Sequence, residues 1–231
     1  MKKIKRILIY TFLGIASFIS VFPFLWMIVS MTNKSVDVTK GRLLPGTYFF
    51  ENIKALFETV DITTALINSS IIAVVTTVLT LFISSLAGYG FEIYRSKGKD
   101  WVFNILLVSL MIPFAAIMIP LYQLFGEVSH TMPAIGIDTL PAAILPTVTT
   151  AFFVFLFRQN TKMFPKDLIE AGRIDGLSEL GIFFKIYMPT MKTTYAAAAI
   201  IAFMNSWNNY LWPLVILQSP ENQQWDCLIF R

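Results

Sequence analysis

The sequence predicts an all-α protein that crosses a membrane several times. Of its 231 residues, 56% are hydrophobic and 14% are charged, and the mean hydropathy of +0.67 is too high for a soluble domain. The apolar residues form long blocks without a charge, each long enough for a helix that spans a hydrocarbon core of about 30 Å. A membrane barrel would instead show short segments of alternating apolar and polar residues. The sequence therefore predicts a polytopic helical membrane protein.

Five uncharged runs predict five transmembrane helices. The first, residues 7–29, would extend roughly 34 Å as a helix. Its basic start, MKKIKR, resembles the first part of a signal peptide, but the apolar run is too long and no small-residue cleavage site follows. We therefore expect a retained helix. Pro23, Pro113 and Pro120 are expected to kink the runs that contain them. The other four runs are residues 62–91, 101–126, 139–157 and 193–220.

The distribution of basic residues predicts the orientation. Of the 18 Lys and Arg residues, 13 fall on one side: four before the first run, three between the second and third, and six in the loop 158–192. This bias predicts a cytoplasmic N-terminus and a cytoplasmic loop 158–192. The net charge of +4 is explained by topology, so we expect membrane lipid around the chain and no nucleic-acid partner.

Two parts of the chain are expected. Residues 1–66 would hold the first transmembrane helix and an external loop. Residues 67–231 would hold the membrane core, including the loop 158–192.

Few residues in this chain are suited to catalysis or metal binding. One His and one Cys cannot form an internal disulfide, a cysteine metal cluster or a zinc site. The sequence has no G-x-x-x-x-G-K-[ST] phosphate loop, and we expect no enzyme activity, cofactor or metal. The uncharged runs also lack the ionisable groups that ion-coupled carriers place at mid-membrane. Energy for any transport is therefore expected from a partner.

The loop 158–192 contains residues that favour the starts and ends of two short helices. In FPKDLIEAGRIDG, Pro165 and Asp167 suit a first turn and Gly176 suits a stop. A second helix is expected to begin after Ser178 as N-cap and to end before Pro189. One face of this second helix is apolar at helical spacing and is expected to pack on the membrane domain: Ile182, Phe183, Ile186 and Tyr187.

The stretch EAGRIDGLSELGIFFKIYMP resembles the EAA loop of ATP-binding-cassette importer permeases. That motif has Glu-Ala-Ala, three residues, Gly, nine residues, Ile, one residue and Leu-Pro. This chain departs from it at Gly172 and Met188, and Gly172 should weaken the first helix by about 1 kcal/mol relative to Ala. The resemblance implies that the loop seats in a groove of an ATPase, whereas the alternative is an ordinary solvated loop. The residues it implies for docking are Glu170, Ala171, Gly172, Asp175, Gly176, Ile186 and Pro189.

Other stretches resemble the carbohydrate subfamily, the maltose-permease-like second membrane subunit. They are LFISSLAGYGFEIYRSKGK, MIPFAAIMIPLYQLF, LFRQNTKMFPKDLIEAGRIDG and FMNSWNNYLWPLVIL, and the resemblance covers residues 7–224. It implies a permease subunit of an ATP-driven carbohydrate importer in a bacterial-type cell membrane. The implied partners are a second permease, a pair of ATPases and an extracytoplasmic sugar-binding protein. The alternatives are an ion-coupled secondary carrier and a membrane protein without transport activity.

The fifth run carries the residues expected to face the sugar. Their spacing of i, i+3, i+4 and i+7 would place them on one helix face, where amides can pair with hydroxyls and an aromatic ring can stack on a sugar. Asn also hydrogen-bonds between membrane helices, and Trp collects at the interface, so both interpretations stay open. The residues are Asn205, Asn208, Asn209 and Trp212.

The end of the chain departs from the family pattern. Relatives of this type continue into a sixth span, whereas here ENQQW is followed by DCLIFR. We therefore expect a permease that lacks its last transmembrane helix and is inactive in this form.

Overall fold

The structure is a computed structural model that describes residues 2–59, 61–224 and 227, and every regular element within those residues is helical. The all-α prediction is confirmed. The chain divides into two compact units, the first ending at Ile62 and the second beginning at Thr63. Residues 225, 226 and 228–231, on which the expected loss of a sixth helix depends, lie outside the described residues.

The first unit contains one long apolar helix and a polar loop with two short helices. Helix α1 (Lys2–Ser30) is followed by α2 (Ser35–Thr39) and α3 (Phe49–Thr59). The buried Asn33 joins this segment, because its Nδ2 donates to the carbonyl oxygens of Val29, at 2.9 Å, and of Leu44, at 3.0 Å. The loop after α1 is thus held by side-chain bonds to its backbone.

The second unit contains the remaining elements. It has ten further α-helices, one 3₁₀ turn and one π-helical turn among the described residues. In chain order these are α4 (Ile62–Ile93), α5 (Lys97–Ser109), α6 (Phe114–Thr131), a 3₁₀ turn (Pro133–Ile135), α7 (Leu140–Val148), α8 (Ala151–Thr161), α9 (Lys166–Ile174), α10 (Glu179–Ile182), the π-helical turn (Phe183–Tyr187), α11 (Met188–Thr190), α12 (Lys192–Trp207) and α13 (Leu211–Ile216).

Several predicted spans are broken helices. Among the described residues, two helices are long and apolar enough to cross a membrane unaided, Lys3–Ser30 and Ile62–Ile93. Helices α5 and α6 meet at 100°, and α7 and α8 meet at 43°, so up to four spans are present if each bent pair counts as one. The fifth predicted run is divided between α12 and α13. The described residues thus hold two to four candidate spans where the sequence predicts five, because three of the predicted runs fold as pairs of shorter helices.

Proline explains two of these breaks. Because proline lacks an N–H and its ring clashes with the carbonyl four residues earlier, a helix rarely continues through it. Helix α5 ends at Ser109, four residues before Pro113, which is the N-cap of α6. Asn209 lies four residues before Pro213, and α12 has already ended at Trp207. Pro23 and Pro120, in contrast, lie inside helices that continue past them.

A buried ion pair joins the ends of α4 and α8. Arg158 and Glu92 are each about 4% exposed, and Arg158 Nε lies 3.4 Å from Glu92 Oε2. Arg158 also donates to Asp100 of α5, and its guanidinium carbon lies 4.0 Å from the centre of the Phe103 ring. Glu92 and Arg158 lie one residue past the uncharged runs 62–91 and 139–157. They are still helical, since α4 and α8 extend beyond those runs. This cluster fastens α4, α5 and α8 to one another.

Candidate functional site

The first half of the loop 158–192 folds as the sequence predicts. Helix α9 begins after Pro165, and Asp167 lies in its first turn beside the positive end of the helix dipole. Ile169 and Gly172 are buried on the inner face. The helix is therefore amphipathic, with one face against the membrane domain.

Gly176 ends α9 in a left-handed turn. Its φ is +77°, a conformation that glycine adopts at little cost. The amide of Leu177 donates to the carbonyl of Gly172 at 3.0 Å, and the amide of Gly176 donates to that of Arg173 at 3.1 Å. This pair of bonds is the Schellman motif. It sets the direction in which the chain leaves α9.

The second half of the loop differs from the prediction at its end. Ser178 is the N-cap of α10, and its hydroxyl accepts from the amide of Gly181, as expected. Helix α10 ends at Ile182, but the helical backbone continues past Pro189 to Thr190, so the expected stop before Pro189 is wrong. The backbone widens into the π-helical turn, and Pro189 falls in the first turn of α11. The missing proline N–H is tolerated in a first turn, and the wider turn changes the hydrogen-bond register before it.

The apolar face of this second segment packs on α4, as predicted. Phe183 and Tyr187 are almost fully buried, and their ring centres lie 5.5 and 4.8 Å from that of Tyr89. The Tyr187 hydroxyl lies 2.6 Å from Thr161 Oγ1 in α8. Ile182 is fully buried and Ile186 is half-buried. The loop is thus fixed to two helices of the membrane core.

A polar contact that sequence analysis missed joins the two halves of the loop. Arg173 Nε donates to Glu179 Oε1 at 2.8 Å, and the Tyr94 hydroxyl, just past the end of α4, donates to Glu179 Oε2. The hydrogen bonds from Arg173 and then from Tyr94 lower the pKa of Glu179, so this carboxylate is ionised at neutral pH. Tyr94 and Glu179 are 85 residues apart, so local sequence patterns gave no signal for this contact.

The predicted docking residues divide into an outer and an inner group. Glu170, Ala171, Asp175, Gly176 and Pro189 are exposed. Ile174, at 87% exposed, and Leu180, at 62% exposed, add apolar side chains to the same loop. Gly172 and Ile186 lie on the inner side and face each other. The inner pair supports the shape of the loop, and the outer group is available to a partner.

Packing explains why the chain has Gly172 where the EAA motif has its second alanine. A Cβ at this position would lie 2.7 Å from Ile186 Cδ1 and 3.1 Å from Ile182 Cγ1, both closer than ordinary contacts. The glycine lets the two halves of the loop approach each other, which offsets its low helix propensity.

The effects of Gly172→Ala and Ile186→Val on stability are therefore expected to be coupled. Ile186→Val removes Cδ1, the atom that would lie nearest to the new Cβ. In a double-mutant cycle, the alanine should raise the free energy of unfolding by about 1 kcal/mol more in the Ile186→Val background than in the parent chain. Unfolding of the purified protein in mixed micelles measures this difference. Gly90→Ala is the control, because a Cβ there meets nothing within 4 Å. Additive effects of Gly172→Ala and Ile186→Val would contradict the steric explanation.

The residues expected on the substrate path do not share one helix face. Helix α12 ends at Trp207, and Asn208 and Asn209 lie in the break before α13. Asn205 and Asn209 line a cavity of about 170 Å³ with Thr76 and Ser206. Asn208 and Asn209 line a neighbouring cavity of about 350 Å³. The single-face prediction is wrong, but the three asparagines still lie at one connected region.

Trp212 has a structural position and is not among the residues that line these two cavities. Its side chain is fully buried, and its Nε1 donates to the carbonyl oxygen of Ala142 at 3.0 Å. The rings of Phe114 and Phe125 pack against it at centre distances of 6.0 and 5.9 Å. Trp212 therefore joins α13 to α6 and α7, which favours the structural interpretation of this residue over stacking on a sugar. A buried indole needs a hydrogen-bond acceptor, and the backbone of α7 supplies it.

Comparison with known proteins identifies the family. Residues 81–225 match the model of the binding-protein-dependent transport system inner membrane component. The chain belongs to this family. It is a multi-pass inner-membrane permease subunit of an ATP-binding-cassette importer, and it is a transport component of a larger complex rather than an enzyme.

Permease subunits of several transport systems are similar to most of this chain. The lactose transport system permease protein LacG of Rhizobium radiobacter is 46% identical over 222 residues, which cover 96% of this chain and 79% of the relative. The arabinooligosaccharides transport system permease protein AraQ of Bacillus subtilis is 36% identical, with coverages of 94% and 76%. The sn-glycerol-3-phosphate transport system permease protein UgpE of Salmonella typhimurium is 33% identical, with coverages of 89% and 73%.

A solved structure has the same fold. A chain of a bacterial ATP-binding-cassette transporter involved in the import of the acidic polysaccharide alginate matches 99% of this permease and 79% of its own length, with a TM-score of 0.84 and 22% identity. At this identity the likeness shows the fold alone.

Proposed function

We propose that this permease imports carbohydrate. The observation that carries the proposal is the 46% identity to a lactose permease subunit over nearly the whole chain, and an arabinooligosaccharide permease is also similar. The cavities near α12 support it, because they present hydroxyl and amide groups, which pair with the hydroxyls of a sugar. Asn205, Asn208 and Asn209 are the proposed contacts on the substrate path.

The proposed partners are a second permease, a pair of ATPases and an extracytoplasmic sugar-binding protein. The orientation proposed for the chain has its N-terminus in the cytoplasm, since 13 of its 18 Lys and Arg residues then lie on that side. The loop 158–192 then faces the ATPases. Because the same orientation is required for ATPase contact, the charge bias and the docking proposal support each other.

The loop 158–192 is proposed to receive the motion of the ATPase. Its outer surface carries the charged Glu170 and the exposed apolar Ile174 and Leu180, a combination typical of protein contact surfaces. Its inner surface is fixed to α4 and α8 through Phe183 and Tyr187. A displacement of the outer face is thus transmitted to helices that line the cavity, since Thr76 belongs to α4.

ATP-dependent uptake tests this function. The chain, assembled with its partner subunits in proteoliposomes, should take up labelled lactose or an arabinose oligosaccharide only when ATP is hydrolysed and the binding protein is present. Such uptake would also contradict the inactivity that the residues after ENQQW predict. Association of an ATPase with the purified chain is the accompanying measurement. Uptake that persists without ATP, in a complex that holds no ATPase, would favour an ion-coupled carrier instead.

A further inference from the structure

Three helix breaks meet at the smaller cavity. Phe114 begins α6 after the bend that follows α5, Thr150 lies between α7 and α8, and Asn209 lies between α12 and α13. All three residues line the cavity of about 170 Å³. In membrane proteins, non-helical backbone at membrane depth is tolerated where it is buried in protein or lines a cavity. Transporters commonly place substrate at such interrupted helices.

The walls of the cavity offer hydroxyl and amide groups. Thr76 and Thr80 come from α4, Thr147 and Thr150 lie at the end of α7 and in the break after it, and Asn205 and Ser206 come from α12. Every residue that lines the cavity is uncharged. An anion in such a site would need a cationic partner to offset its desolvation, whereas the hydroxyls of a sugar need only hydrogen-bond partners.

Thr76 is a buried polar residue of this wall whose side chain bonds to no other described residue. Its side chain is 3% exposed, and within the described part of the chain its Oγ1 has no hydrogen-bond partner. The next residue behaves differently, because Thr77 Oγ1 donates to the carbonyl of Ala73 at 2.7 Å. Thr80 Oγ1 likewise donates to the carbonyl of Val148, at 2.7 Å. Since a buried hydroxyl without a partner is costly, one that lines a cavity is suited to a ligand.

We propose that this cavity is a subsite for one neutral, hydroxyl-rich ring of the transported molecule, and that the Thr76 hydroxyl bonds to it. The proposal rests on the proposed carbohydrate transport and narrows its substrate class to uncharged sugars. The cavity volume is more than ten times the roughly 10–15 Å³ that one water needs, so a group the size of a sugar ring fits. The neighbouring cavity shares Phe114, Thr147 and Asn209 with it, so a longer substrate can extend there.

The test replaces Thr76 with valine, which keeps the shape of the side chain and removes its hydroxyl. In the complete transporter, Thr76→Val should raise the KM for labelled lactose or an arabinose oligosaccharide about fivefold with little change in kcat, the effect of losing one hydrogen bond to substrate. Because that hydroxyl has no partner within the described residues, assembly and thermal stability should not fall. Thr77→Val is the matched control, and it should leave KM unchanged.

The outcomes separate the subsite from the proposed function. If the parent complex takes up neither sugar, the proposed function itself fails. If the parent transports sugar and Thr76→Val matches it in KM, the subsite is overturned while the function stands. A Thr76→Val chain that fails to assemble also overturns the proposal, since it shows a structural role for the hydroxyl. A competition experiment tests the restriction to neutral ligands. Excess unlabelled lactose should reduce the uptake of the labelled sugar. Equal competition by sn-glycerol 3-phosphate would overturn the restriction.

Discussion

Arg158→Met is expected to destabilise the folded permease by about 3–5 kcal/mol. The substitution removes one partner of a buried ion pair and leaves Glu92, at 4% exposed, without its counter-charge. Such an uncompensated charge is far more costly than the net value of the pair itself. The neighbouring Asp100 is partly exposed and retains Arg95 at 3.2 Å, so most of the loss should come from Glu92. Unfolding in mixed micelles titrated with denaturing detergent measures the change.

Two further variants test the cause of that loss. Arg158→Met combined with Glu92→Met should recover most of the stability, because a buried pair replaced by apolar residues of similar volume is often neutral. Lys54→Met serves as the control for an exposed pair, since Lys54 and Glu58 are 77% and 67% exposed. Such surface ion pairs contribute little to folding stability, so Lys54→Met should change the free energy of unfolding by less than about 0.5 kcal/mol. A double variant no more stable than Arg158→Met would contradict the electrostatic explanation.

Gly176→Val is expected to reduce ATP-dependent uptake at least tenfold while leaving membrane insertion and subunit assembly intact. The φ of +77° is costly for any L-residue with a side chain, by about 1–2 kcal/mol, and more for a β-branched one. A Cβ at this position would meet nothing within 4 Å, so the effect comes from the backbone and packing is not involved. Loss of the Schellman bonds would redirect the chain after α9 and misplace α10. ATPase stimulation and uptake of the reconstituted complex are the measurements.

The backbone explanation predicts a graded series at Gly176. Gly176→Asn should retain much of the activity, because asparagine tolerates the left-handed conformation. Gly98→Val is the matched control: Gly98 is exposed, a Cβ there also meets nothing within 4 Å, and its φ is not positive. Equal uptake by Gly176→Val and the parent would show that the turn does not matter for coupling, and equal losses for valine and asparagine would exclude backbone conformation as the cause.

Local patterns determined the membrane class and the two-part organisation of the loop 158–192. Uncharged runs of about 20 residues are sufficient to predict spanning helices, because the bilayer leaves backbone groups few other partners. The stop at Gly176 and the cap at Ser178 were also predictable, since both depend on residues within one turn of the chain. The spacing of Ile182, Phe183 and Tyr187 likewise predicted the face that packs on α4.

Tertiary contacts decided what the side chains do. The asparagine spacing indicated one helix face, but the break before Pro213 separates Asn205 from Trp212, and Trp212 bonds to a carbonyl 70 residues earlier in the chain. The pair of Arg158 with Glu92 spans 66 residues, and Thr76 reaches the cavity only because α4 packs beside α7 and α12. The periodicity of the sequence indicates which face of a helix is apolar. It does not indicate which distant group will contact a buried polar atom, because that depends on how the broken helices pack together.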